Sequence, residues 1–399
     1  MDFLNGKIKR IYFKYLLAAF GSALITSIYS IVDMAMVGQY QGPDDTAALA
    51  VVAPVWNIIY SLGLLVGIGG SVIFSTKRGS GDNEGNENQY FTSAVIGSVV
   101  LAMLSWIGLF IFEKPILSFF RADESLLYLA QEYIRPIKYV FPLFLFNQML
   151  ATAIGSVISF LIMLTHFIAR KNTLRLVKVQ NIFSKLREIS ITGFSTFFID
   201  VAMGILTFLF NRQIMKFLGA DALAVYGPII QVSTFVQCCA YSVGQASQPI
   251  ISTYFGAKKK KIVETLKLAL VTTFIFGLFW TALSMICPNL YIKIFMTSTD
   301  RILEIAPAII RNICLFISTI TINIYSTYYF QAIMKPQIAF VISVLRGLVI
   351  SGILIMVLPV TCGANSLWLA MPITEVLVMI YVIYNMRKCT HLLPVVEGK

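Results

Sequence analysis

The chain has 399 residues, of which 58% are hydrophobic and only 13% are charged. Its mean hydropathy is +0.80, whereas soluble domains carry roughly 25% charged residues, so the composition excludes an ordinary water-soluble domain. The formal net charge of +12 would suit nucleic acid. The basic residues, however, stand between apolar runs, where membrane topology explains them and we expect no nucleic-acid partner.

The apolar residues are gathered into runs of about 20 residues or more, the length that an α-helix needs to cross roughly 30 Å of hydrocarbon. Backbone groups in lipid must pair within the segment, so we predict an all-α, polytopic membrane protein surrounded by membrane lipid. The predicted spans lie near residues 13–37, 47–75, 90–112, 139–169, 190–210, 223–255, 262–287, 305–332, 337–358 and 365–386.

The basic residues indicate how the chain is oriented. They concentrate in alternate loops, and such loops lie on the cytoplasmic side. We therefore expect a multi-pass protein of the cell inner (cytoplasmic) membrane with both termini cytoplasmic. The basic residues on that side are four before the first span, Lys77 and Arg78, six from Arg170 to Arg187, Lys258 to Lys261, Lys335 and three after the last span.

Two common kinds of chemistry have no signal in the sequence. The six cysteines lie in or beside apolar runs, without Cys-x-x-Cys or Cys/His ligand spacing, so we expect neither a metal site nor another cofactor. There is no nucleophile paired with a base and no phosphate-binding loop, so we expect no enzyme and no ATP-driven pump.

An internal repeat indicates a duplicated membrane unit. The segment Ala48-Leu49-Ala50-Val51 with Pro54 recurs as Ala222-Leu223-Ala224-Val225 with Pro228. Farther along, Ile73, Ser75, Thr76 and Gly79 recur as Ile250, Ser252, Thr253 and Gly256. Both copies run from the outer side to a basic loop, so they predict parallel repeats, which are typical of transporters built from two bundles.

The two copies differ in length, because the first has fewer spans before its basic loop than the second has before the chain ends. We predict two parallel, pseudo-repeated bundles of about four and six transmembrane helices. The stretch 139–169 is long for one helix and short for two, which indicates an internal deletion. The predicted organisation is an N-terminal bundle at 1–169, a cytoplasmic basic loop at 170–189, a C-terminal six-helix bundle at 190–388 and a cytoplasmic tail at 389–399.

Several motifs occur together in the order of a known family. The segment 28–38, the stretch 47–54 and the glycine-rich stretch 63–71 resemble the first two helices of multidrug and toxic compound extrusion (MATE) exporters. The segments 211–219, 223–227, 245–250 and 256–258 resemble the region around that family's seventh and eighth helices. The resemblance implies two bundles facing a central cavity. It departs between Leu150 and Ala151, where the family's fifth helix is absent and the first bundle is shortened.

Carboxylates inside a span are costly, roughly 2.5–3.5 kcal/mol or more, so they face water, form pairs or carry protons. Asp33 lies near the outer end of the first span, where the resemblance implies an ion-coupling aspartate; an aspartate that merely faces outside water is the alternative. Asp200 lies in the middle of the span 190–210 without an obvious cationic partner. We therefore predict that Asp33 and Asp200 couple ion entry to export.

Other polar side chains in the spans are candidates for the wall of a substrate-binding cavity. Arg346 and Glu375 form either part of this wall or a structural ion pair. For the glutamines and Asn323, hydrogen bonds between helices are the alternative. The full predicted set comprises Tyr29, Asn57, Gln231, Gln237, Gln245, Asn323, Arg346 and Glu375.

The predicted function is secondary antiport, in which cationic amphiphilic drugs or metabolites leave in exchange for H⁺ or Na⁺. Acidic side chains favour a small organic cation as substrate, and aromatic residues offer their ring faces to it. We expect a monomer. Two alternatives stay open, namely a lipid-linked saccharide flippase of the same superfamily and a truncated form that transports nothing.

Overall fold

A computed structural model describes residues 7–40, 43–81, 86–119, 131, 175–257, 261–290, 300–314 and 317–391. Within these ranges the regular structure is helical and contains no strand, which confirms the all-α fold class. The helices are α1 (Ile8–Tyr40), α2 (Pro43–Ser80), α3 (Asn86–Ile111), α4 (Glu113–Phe119), α5 (Ile182–Phe217), α6 (Ala220–Gly256), α7 (Lys261–Ile286), α8 (Asp300–Cys314), α9 (Ile317–Ala332), α10 (Pro336–Val344), α11 (Ile350–Thr361) and α12 (Ala370–His391).

Five helical stretches of the described chain are long and apolar enough to cross a membrane. They correspond to the predicted spans 90–112, 190–210, 262–287, 337–358 and 365–386. A sixth candidate is the pair α8 and α9, which bends by 41° at its break and coincides with the predicted span 305–332. The spans 13–37, 47–75 and 223–255 fall within α1, α2 and α6, respectively. The predicted span 139–169 lies outside the described residues.

The helix α5 begins earlier than the sequence indicates. Its first residue is Ile182, inside the segment predicted to be a loop. The preceding Asn181 has a positive φ of 53°, a left-handed conformation that asparagine adopts more readily than most residues. The chain therefore turns at Asn181, and the basic residues that follow lie in the first turns of a long helix.

The stretch between α10 and α11 is a continuous helix with one wide turn. Residues Leu345–Val349 form a π-helical turn, in which the N–H of Ile350 donates to the carbonyl of Leu345. Such turns insert an extra residue into an α-helix and are frequent at functional sites. Arg346 lies in this turn, and its carbonyl also accepts the hydroxyl of Ser351.

The described chain divides into two compact units, of which the first comprises 1–24, 75–82 and 191–399. It holds two apolar cores. One is centred on buried aromatic residues that include Tyr12, Tyr254 and Tyr329. The other contains Phe210 and Trp368, whose ring centroids lie 6.0 Å apart. These cores fix the helices on which the polar residues of the unit stand.

Two repeat-related helices meet inside this first unit. A Cβ atom at Gly79 of α2 would overlap the backbone carbonyl of Thr253 in α6, and a Cβ at Gly256 would overlap that of Thr76. Thr76 and Thr253 are themselves equivalent positions of the predicted repeat. The contact is therefore reciprocal, and only glycine lets the two backbones approach this closely.

The second unit comprises 25–74 and 83–190. Within it, α2 and α3 approach at Gly70, where a Cβ atom would stand 2.8 Å from that of Ala94. Gly97 of α3 similarly accommodates the side chain of Leu186 near the start of α5. Small residues thus set the spacing of helices in this unit, as is usual in membrane proteins.

Candidate functional site

Four of the predicted site residues lie in helices, but the structure does not describe their side chains. They are Tyr29 and Asp33 in α1, Asn57 in α2 and Gln231 in α6. Their helical placement agrees with the predicted spans. Their roles in ion coupling and substrate binding stay predictions.

The second predicted coupling residue, Asp200, stands near the middle of α5. This helix has 36 residues and is therefore about 54 Å long, so that Asp200 is several turns from either end. Its side chain is half-buried, and its neighbours Ile199 and Ala202 are buried. A carboxylate at this depth is costly unless it faces water, pairs or takes up a proton.

Two predicted glutamines lie on α6 with different surroundings. Gln237 is half-buried, and its Oε1 accepts the hydroxyl of Tyr241 at 3.4 Å. Gln245 is exposed. The two side chains do not share a hydrogen bond, and their predicted contact with substrate stays a prediction.

The structure brings three predicted residues together into one buried network. Arg346 Nε donates to Glu375 Oε1 at 2.6 Å, and the two side chains are only 7% and 1% exposed. Asn323 of α9 completes the group, because its Nδ2 donates to Glu375 Oε2 at 2.7 Å and to the backbone carbonyl of Glu375 at 2.8 Å. The ion pair considered for Arg346 and Glu375 is therefore confirmed.

The geometry of this network places two groups of opposite charge in direct contact. Removing an isolated carboxylate or guanidinium from water costs several kcal/mol, and a close partner with further hydrogen bonds offsets that cost. Both carboxylate oxygens of Glu375 have donors, one from Arg346 and one from Asn323. Asn323 Oδ1 is buried and has no hydrogen-bond partner among the described residues. The network therefore contains one unsatisfied hydrogen-bond acceptor.

A second buried network was not predicted. The Nε2 of Gln331 in α9 lies 2.8 Å from Ser195 Oγ, 2.9 Å from Thr196 Oγ1 and 3.1 Å from the carbonyl of Thr192, all in α5. Gln248 of α6 donates to Gln331 Oε1 at 3.2 Å. Gln331 thus joins three helices, and the available sequence signal was an amide within an apolar run.

The described residues contain no group of three or more His, Cys, Asp or Glu side chains that could hold a metal ion. The polar interior consists instead of hydroxyl, amide and paired charged groups. Such groups orient helices and bind water or a dehydrated cation.

A known protein family matches most of the chain. The family model of MatE matches residues 18–177 and then matches again at 196–357. Two successive matches to one model are what the predicted internal duplication requires.

Two relatives match most of the chain. A probable multidrug resistance protein, YoeA of Bacillus subtilis, is 20% identical over 334 residues, with 70% of this chain and 72% of the relative covered. The multidrug export protein MepA of Staphylococcus haemolyticus is 19% identical, with 92% of this chain and 91% of the relative covered. That alignment spans 415 positions, more than the chain has residues, so some positions have no counterpart here. The predicted deletion between Leu150 and Ala151 lies outside the described residues and stays a prediction.

Solved structures show the same fold. An outward-facing multidrug resistance MATE family transporter of the MOP superfamily superposes with a TM-score of 0.83, 18% identity and 98% of each chain covered. The MATE multidrug transporter DinF-BH, solved in complex with R6G, gives a TM-score of 0.83, 21% identity and 96% of each chain covered. The matched relatives are exporters and not enzymes. The family model covers most of the chain in two copies, so the chain belongs to the MatE family of multidrug efflux transporters.

Proposed function

We propose that this chain is a secondary antiporter that exports cationic amphiphilic compounds in exchange for H⁺ or Na⁺ entering the cell. The observation that carries the proposal is the half-buried carboxyl group of Asp200 in the middle of α5. A carboxyl group at this depth changes its interaction with the surrounding helices when it gains a proton or a cation. Such a change can favour one transporter conformation over another.

The Arg346 and Glu375 pair supports this assignment by elimination. Arg346 compensates the charge of Glu375 inside the protein, so an ion that bound to Glu375 would have to displace a buried guanidinium from its counter-ion. That state is expensive. Among the described acids within the spans, Asp200 is therefore better suited to an ion-coupling cycle than Glu375, while Asp33 remains the candidate in α1.

The experiment is a comparison of efflux from cells that express the chain and its variants. A fluorescent organic cation and R6G, the compound bound by the solved relative, serve as substrates. We expect Asp200→Asn and Asp33→Asn each to slow efflux by roughly tenfold or more, because a neutral amide cannot exchange a proton. The matched control is Glu264→Gln, which removes an exposed carboxylate at the start of α7.

The driving ion is identified in the same cells. A protonophore should abolish efflux if H⁺ is the coupling ion, and removal of external Na⁺ should do so if Na⁺ is. Efflux that resists both treatments and both aspartate variants would reject the antiport proposal. Absence of efflux from the unaltered chain would favour the alternative of a truncated form that transports nothing.

The flippase alternative receives less support from the structure. A lipid-linked saccharide carries phosphate, so its cavity should offer unpaired cationic groups. Arg346 is buried and paired with Glu375, while Arg311 is exposed near the end of α8. Neither residue offers a buried cation to a phosphate.

We also propose that the chain lies in the cell inner membrane with both termini in the cytoplasm, and that one chain acts alone. The support is the concentration of basic residues in alternate loops. Labelling of single engineered cysteines with a membrane-impermeant reagent tests the orientation. A cysteine at Lys7 or His391 should react only after the membrane is opened, whereas one at Gly363 should react in intact cells.

A further inference from the structure

We propose that residues 175–188, here called the connecting segment, form a membrane-surface site for anionic lipid headgroups. The segment presents the most exposed large apolar side chain of the described structure, Phe183, which is 86% exposed, together with Leu176 at 64%. The proposal goes beyond transport, because it concerns where this segment rests and which lipid it recruits.

The exposure of these apolar side chains is imposed by a fixed backbone. The first residues of α3 accept three backbone N–H groups of the connecting segment. Asn88 Oδ1 accepts from Arg175 at 3.0 Å, and Thr92 Oγ1 accepts from Val177 at 3.1 Å. Gln89 Oε1 accepts from Gln180 at 3.2 Å. A segment held in this way cannot turn Leu176 inward without losing these hydrogen bonds.

The acidic side chain and one of the basic side chains of the segment make contacts within the protein. Glu188 accepts the hydroxyl of Tyr90 at 2.7 Å. Lys185 donates to the carbonyl of Gln180 at 2.8 Å and lies over the Tyr90 ring, 5.5 Å from its centroid. These contacts engage the segment's own acid and one of its lysines within the protein.

Three cationic side chains remain on the surface of the segment. Arg175, Lys178 and Arg187 are exposed, and none of their side chains has a hydrogen bond or ion pair with another described residue. The free charge of the segment is therefore positive. It lies beside the exposed Leu176 and Phe183.

The position of the segment identifies the partner. Its residues from Ile182 onward form the first turns of α5, which continues as an apolar span, so the bilayer surface is its immediate neighbour. Apolar side chains next to basic ones suit the boundary between acyl chains and headgroups. Each basic side chain near an anionic surface favours it by about fivefold, equivalent to about 1 kcal/mol. Phosphate-bearing anionic lipid therefore matches both features of the segment.

The test measures which lipid lies next to Phe183. The full chain with Phe183→Trp is placed in phosphatidylcholine vesicles that contain a minor fraction of phosphatidylglycerol. Bromine, which quenches tryptophan, is carried on the acyl chains of one lipid or the other at equal mole fraction. The signal of the parent chain, which has four tryptophans, is subtracted. Ile205→Trp is the matched control, because Ile205 is also on α5 and is 52% exposed within the span.

We expect brominated phosphatidylglycerol to quench Phe183→Trp several-fold more than brominated phosphatidylcholine, and to quench Ile205→Trp no more than its mole fraction predicts. Adding Lys178→Gln and Arg187→Gln should remove the difference at position 183, while the thermal unfolding midpoint stays unchanged. Inorganic phosphate should not compete at the concentration of the lipid. Equal quenching by both lipids would overturn the proposal. An absence of quenching would also overturn it, because the segment would then face water and be open to a protein.

Discussion

Gly79 and Gly256 hold equivalent positions in the two repeats, and each packs against the backbone of the threonine that lies three residues before the other. The threonine next to Gly79 is Thr253, and the one next to Gly256 is Thr76. The C-terminal ends of α2 and α6 therefore make a reciprocal, symmetric contact. Duplication explains the symmetry, since each copy brings the same small residue to the same place.

The first prediction concerns these glycines. Gly79→Ala and Gly256→Ala should each lower the stability of the purified chain in detergent by about 1–3 kcal/mol, because the added methyl group meets a backbone carbonyl that cannot rotate away. The measurement is the thermal unfolding midpoint. Gly67→Ala in α2 and Gly227→Ala in α6 are the controls, since a Cβ at either position meets nothing within 4 Å. These controls should be neutral or stabilising by about 0.4–1 kcal/mol.

A further comparison separates close packing from a simple effect of glycine. If the two backbones meet as described, the double variant should cost less than the sum of the single ones, because the first methyl group already separates the helices. Additive effects would show that the two contacts are independent. Equal effects at Gly79 and Gly67 would contradict the close approach.

A second prediction follows from the Arg346 and Glu375 pair. Arg346→Met or Glu375→Gln alone should destabilise the chain by about 3–5 kcal/mol, because each leaves a buried charge without its partner. The variant that carries both substitutions should be markedly more stable than either single one. Unfolding midpoints of the four chains form a double-mutant cycle. A coupling energy near zero would mean that the pair is not formed in the membrane protein as purified.

The third prediction concerns the amide that joins α5, α6 and α9. Gln331→Ala should cost about 1–3 kcal/mol, since Gln248 and the hydroxyls of Ser195 and Thr196 lose a buried partner. Gln245→Ala is a matched control, because Gln245 is exposed. It should change the free energy of unfolding by no more than about 0.5 kcal/mol, whatever it does to transport. Similar midpoints for the two variants would argue against a bridging role for Gln331.

The fourth prediction tests how the connecting segment is held. Asn88→Ala should free the backbone N–H of Arg175, and Thr92→Val should free that of Val177. Each lost hydrogen bond is worth about 1 kcal/mol, so trypsin should cleave after Arg175 or Lys178 roughly fivefold faster. Thr234→Val is the control, because Thr234 bonds only to a carbonyl of its own helix. Unchanged cleavage in both variants would show that other contacts hold the segment.

A structural feature could be predicted from the sequence when leaving its polar or charged groups unpaired in lipid would cost much free energy. Long apolar runs admit little except helices, so the described spans were predicted as helices, although α5 extends beyond the predicted 190–210 at both ends. Two opposite charges in apolar runs also require partners, and this requirement made the Arg346 and Glu375 pair foreseeable. A neutral amide is less costly than a charge and has many acceptable partners. The sequence therefore could not single out Thr192, Ser195 and Thr196 as the neighbours of Gln331.

Two other features left no clear signal. The connecting segment is held through its backbone N–H groups, and backbone groups are the same at every residue except proline. The repeat identified Gly79 and Gly256 as equivalent, but equivalence does not specify contact. The contact depends on how the helices cross, and long-range packing decides that crossing.

The wide turn at Leu345–Val349 has a consequence for the length of this helix. A π-helical turn holds one residue more than an α-helical turn spanning the same rise, so α10 and α11 keep their orientations with a surplus residue between them. Deleting Leu348, which is exposed, would leave a regular helix whose two ends still present the same sides to their neighbours. What would change is the direction of Arg346. We expect this one-residue shortening to turn Arg346 away from Glu375 and to leave that carboxylate without its counter-ion.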